Sequence, residues 1–109
     1  MALDLEELAK QMFGAAFPII KNRAPEIRAY AEGEFKKIAQ TILTIEGESV
    51  QGRITPEEAA ILFEMQKGAS RAVLLTAAGL SLLIVEEAIN AALEVIKTAV
   101  NSAVKFALV

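Results

Sequence analysis

Apolar residues recur at steps of three and four from the start of the chain. Leu5, Leu8, Met12, Ala16 and Ile20 form one such stripe, the period of a helix with one buried face. Asp4 precedes it with Glu7 three residues on, a pair suited to a capping box at a helix start. Pro18 has no backbone N–H and disfavours helix at the residue before it, so the first helix is expected over residues 4–17. Ile27, Ala31, Phe35, Ile38, Ile42 and Ile45 repeat the pattern after Pro25, which fits a first helical position. Glu32, Glu34, Lys36 and Lys37 lie largely off that stripe. The second helix is expected over 25–46, ending at Glu46–Gly47 with GESVQGR as a loop and Glu46 and Glu48 as loop acids.

The sequence TPEE carries the most specific start signal. Thr55 can cap, Pro56 fits the first position, and Glu57 and Glu58 suit the positive end of the helix dipole. No proline follows, so helix is expected over 56–107. A continuous helix there would run about 75–80 Å at ~1.5 Å per residue, against ~33 Å for the second helix. Either it breaks within 68–79, between Gly68 and Gly79, or its overhang pairs with another chain. The expected fold is therefore all-α. It is a hairpin or bundle of three helices, or four with the break, whose C-terminal helix is very long or broken.

Leu75, Ala78, Leu82, Val85, Ile89, Ala92, Ile96, Ala99, Ala103 and Phe106 alternate steps of three and four, a heptad-type seam. Asn90, Glu94, Lys97, Asn101 and Lys105 form a polar back to it. Traced toward residue 72, that polar back gives way to Val73, Leu80, Leu83 and Ile84. A helix apolar all round is buried all round. Burying four such side chains is worth about 6–12 kcal/mol at ~1.5–3 each, on the scale of a domain's whole stability. These patterns predict a homo-oligomeric bundle. Its expected interface comprises Val73, Leu75, Leu80, Leu82, Leu83, Ile84, Val85, Ile89, Ile96 and Phe106. Leu62, Met65, Ala69 and Ala72 form a separate stripe pointing roughly opposite to that seam. In a straight helix one of the two faces is then available to the chain's own hairpin and the other to a neighbouring chain; a break near Gly68 accounts for the same switch without association.

Composition supports association: 54% of the residues are apolar, more than a small monomer readily hides. The uncharged run Ala72–Val85 is shorter than the ~20 residues of a membrane span, and charges bracket it at Arg71 and Glu86–Glu87. The adjacent Glu86 and Glu87 mark a return to solvent. Net charge is −3, which argues against a general nucleic-acid binder. There is no cysteine and no histidine. Disulfides, thiolate zinc sites and histidine-based catalysis are excluded. No glycine-rich phosphate loop or calcium loop occurs. No enzyme and no cofactor is expected, and MALDLEELAK lacks the pattern of a secretory signal, so a cytoplasmic location is expected.

One candidate ligand site stands out in KNRAPEIRAY. Lys21, Arg23 and Arg28 lie about the start of the second helix, with Tyr30 as a stacking surface. Arginine forks and helix N-termini both suit anions such as nucleotides. The leading expectation is a non-enzymatic, self-assembling structural or interaction protein. Its rivals are an oligomeric binder of small anions and a helical protein resting on a membrane surface.

Overall fold

A computed structural model describes residues 3–109. The described residues form four helices and no strand: α1 (Leu5–Ile20), α2 (Pro25–Val50), α3 (Pro56–Thr76) and α4 (Leu82–Val104). Each start follows from local chemistry. The Glu7 N–H donates to Asp4 Oδ1 at 2.9 Å, and the Glu7 carboxylate accepts from Gln11 instead of closing the box. Thr55 and Glu58 make the full reciprocal box, at 3.1 and 2.8 Å. Ser81 Oγ accepts from the Ile84 N–H and opens α4.

Two helix ends run past the expected ones, and the third helix divides inside the expected window. Pro18 sits inside α1, which runs on to Ile20. An interior proline costs about 3 kcal/mol, but this one lies in the last turn, and the extra residues carry Ile20 into full burial. Phe13 and Phe17 also meet edge-on across that turn, 5.9 Å between ring centroids. Gly47 does not end α2, which continues to Val50. A glycine inside a helix costs only ~1 kcal/mol. The residue that needs glycine's freedom is Gly52, at φ 68°, where the chain turns. The long third helix is divided at Gly79, at the downstream edge of the expected window, and Gly68 stays helical. Gly79 has φ 69°. There the N–H groups of Ala78 and Leu80 reach back to the carbonyls of Val73 and Leu74. Both side chains of that turn, Ala78 and Leu80, are buried.

The four helices share one core. α1 contributes Leu8, Met12, Ala16 and Ile20; α2 contributes Phe35, Ile38, Ile42 and Ile45. α3 contributes Ala59, Phe63 and Leu74, and α4 contributes Val85, Ile89, Ile96 and Val100. Packing is most extensive between α1 and α4, then between α2 and its two chain neighbours; α3 and α4 touch least. The molecule measures 42 × 22 × 18 Å. At ~1.5 Å per residue α2 spans nearly its full length. The short turns therefore collect at two ends. One end holds the α1–α2 turn and the α3–α4 turn. The other holds the α2–α3 loop and the start of α1.

The polar back of α4 is not uniformly solvated. Lys105 adopts the left-handed conformation at φ 69° and reverses the chain after α4. Asn101 holds the returning tail. Its side-chain oxygen accepts from the N–H groups of Leu108 and Val109, both at 3.0 Å, and its amide donates to the Val109 oxygen at 3.2 Å. Leu108 is thereby buried, and Phe106 packs on the core. Asn101→Ala is expected to destabilise by about 1–3 kcal/mol through loss of these bonds. Lys105→Gly should stabilise by about 1 kcal/mol by relieving the left-handed backbone. Urea denaturation of the two variants checks both signs.

Candidate functional site

Among the described residues, no group of three or more acidic side chains is placed to hold a metal. The buried polar residues are Glu34, Glu46 and Ser70. Two of them are satisfied. Glu34 accepts from Lys37 Nζ at 2.9 Å, and Ser70 Oγ accepts from Gln66 Nε2 at 3.1 Å. Glu46 is different. Expected as a loop acid, it lies in α2 with 1% of its surface exposed, and its Oε1 has no hydrogen-bond partner. Glu86 also departs from expectation. It is half-buried and accepts from Arg71 Nε at 2.6 Å, bridging α3 and α4.

The candidate anion site does not converge. Lys21 and Arg23 are exposed in the α1–α2 turn, and Arg28 is half-buried in the first turns of α2 with its Nε unpartnered. Tyr30 belongs to another face. It lines an open groove between α2 and α3 beside Glu26, Glu34, Lys37 and Val73. Glu26 and Glu34 share that lining with Tyr30, and Lys37 pairs with Glu34.

The expected interface residues separate into three groups. Val85, Ile89 and Ile96 are fully buried and Leu80 nearly so, all within this chain's own core. They are corrected from a surface between copies to the interior of one chain. The reason is that α4 packs on α1, the most extensive contact in the fold, and also on α2. A straight helix repeats every 3.6 residues, so the buried line after Ile96 drifts to Val100 and Val104, and Ala99 turns outward. Val73, Leu75, Ile84 and Phe106 are half-covered. Only Leu82 and Leu83 stand clear, 58% and 69% exposed, in the first turn of α4.

The more extensive free apolar surface lies on α3. Ile61, Leu62 and Met65 are 61%, 43% and 66% exposed. Ala69 and Ala72 continue the line along the helix. The buried face of α3 is instead Ala59, Phe63, Ser70 and Leu74. The stripe that the sequence sets opposite the α4 seam is thus the one left uncovered. Leu62, Met65 and Ala69 form the α3 wall of an open groove of about 590 Å³, to which α2 supplies Lys37, Gln40, Thr41 and Thr44. Lys37 is the one charged residue in that lining, and Glu34 pairs with it. Ile61 was not singled out by the sequence, because a period measured from Leu62 skips its neighbour.

No family model, no curated protein and no solved structure matches the chain.

The unpartnered Glu46 makes a direct prediction. A buried polar group without a partner costs about 1–3 kcal/mol. Glu46→Met, of similar length, is expected to raise the unfolding free energy by that amount. Guanidinium denaturation measures it, and an unchanged or lower midpoint would contradict this account.

Proposed function

We propose that this chain is a non-enzymatic helical interaction module that associates with copies of itself through the α2–α3 face. The observation that carries the reading is the exposed line Ile61, Leu62 and Met65 beside an open groove of about 590 Å³. Contiguous exposed apolar side chains of this kind mark association surfaces in soluble proteins. A second copy is the favoured occupant because Leu62 and Met65 project from this face and also line its groove, so one face carries both halves of a self-complementary contact. Two chains related by a two-fold axis can each seat a ridge in the other's groove. The lining residues Gln40, Thr41, Thr44 and Gln66 are uncharged, and neutral groups cost less to desolvate than charges. Alanine at positions 69 and 72 leaves room for close approach of a partner helix.

Sedimentation velocity tests this reading at tens of micromolar. The native chain is expected to sediment as a species heavier than one chain. Leu62→Glu with Met65→Glu should shift it to a single chain with an unchanged helical circular-dichroism signal, since both positions are exposed in the folded chain. A native chain that stays single, or an assembly indifferent to both substitutions, counts against the proposal.

A further inference from the structure

We infer that the end of the bundle carrying the α1–α2 and α3–α4 turns docks reversibly on an anionic lipid surface. The connectivity places both turns at that end. α2 starts and α3 finishes there, as Val73 facing Glu26 and Tyr30 across the α2–α3 groove shows. α4 starts there too, tied to α3 by the Arg71–Glu86 pair. The first turn presents Lys21 and Arg23, both exposed. Arg28 stands close behind with an Nε that no protein group satisfies. The second turn carries no charge from Ala77 to Ser81 and leads into the exposed Leu82 and Leu83. Glu26 and Glu87 are the nearest acids in sequence outside the Arg71 pair.

Basic residues beside projecting apolar side chains are the chemistry of a lipid headgroup boundary. The leucines enter the acyl margin while Lys21 and Arg23 remain among the phosphates. The opposite end is acidic in balance: Asp4, Glu6 and Glu7 open α1 and Glu57 and Glu58 open α3, against Lys105 and Arg53, which pairs with Glu48. That polarity turns the basic end toward a negative surface and the other away from it. A bilayer is favoured over an acidic protein because the leucines project from a helix start. The grooves described above, which would suit a protein segment, lie on the α2–α3 side and are lined by other residues. No helix among the described residues is long and apolar enough to cross a membrane. Contact at the surface is the mode that this end can support.

Flotation of the whole chain with vesicles decides the matter. The probes are vesicles of phosphatidylcholine alone and with about 30% phosphatidylserine, at about 0.15 M salt. The native chain is expected to float with the anionic vesicles and at least about tenfold less with the neutral ones. Lys21→Glu with Arg23→Glu, and separately Leu82→Ser with Leu83→Ser, should each lower binding by about tenfold or more. All four positions are exposed, and circular dichroism verifies that each variant is folded. Leu62→Glu with Met65→Glu should leave single-site vesicle affinity intact, which separates this inference from association through the α2–α3 face. Three results would overturn it. They are absence of flotation with the anionic vesicles, flotation unaffected by both pairs, and capture by an acidic polypeptide such as polyglutamate in place of vesicles. A Leu82/Leu83 variant that alters sedimentation while leaving flotation unchanged would do the same, assigning the leucines to a contact between copies.

Discussion

The fold depends on how much of α4 must be kept from water. Its buried residues include Val85, Ala88, Ile89, Ala92 and Leu93, then Ile96, Val100 and Val104. These positions spread over more of the circumference than one neighbour can cover. α1 takes the largest share, with alanine at buried positions on both helices: Ala16 on one, Ala88 and Ala92 on the other. Small residues at such crossings allow a close approach of the two axes. α2 and α3 add smaller contacts of similar extent to α4 and complete the enclosure. Once α4 is covered from within the chain, α3 is left with only one face engaged. Its apolar outer line is the remainder of that arrangement.

Most helix starts were legible in the sequence, because capping is local chemistry. Asp4, Thr55–Pro56 and Pro25 act on residues within one turn of themselves. The apolar stripes of α1 and α2 were legible for the same reason, since a helix's own period defines its face. Helix ends were harder. Pro18 and Gly47 weaken a helix locally, yet the last turn of α1 brings Ile20 into full burial, a tertiary gain that a local reading does not contain. The division at Gly79 fell within a window the sequence marked, and its position followed from which turn could also bury Ala78 and Leu80.

Ownership of the apolar faces was the least legible feature. Two stripes on opposite sides, one through Leu62 and Met65 and one through Val85 and Ile89, have equal standing in a sequence. Folding chose the second for the interior, because the turn at Gly79 reverses α4 against α1 and α2. The role of Asn101 was hidden in the same way. A polar residue on a polar stripe reads as solvated until the chain turns back at Lys105 and brings backbone N–H groups to it. The basic turn was visible, but its separation from Tyr30 was not, since two positions along a helix differ by more than half a turn in direction.

The pairing of α1 with α4 has a consequence for how the chain reaches this state. The α1–α2 and α2–α3 contacts join neighbours in sequence and close short loops, which form early. The most extensive packing joins the helices farthest apart. In vectorial synthesis α1, α2 and α3 leave the ribosome before α4, so the side of α1 that α4 covers in the folded chain is unfilled. Until α4 emerges, that unfilled side is an apolar surface in the nascent chain, open to chaperones and to other incomplete chains. The fourth helix is thus the one that ends the vulnerable period of the first three.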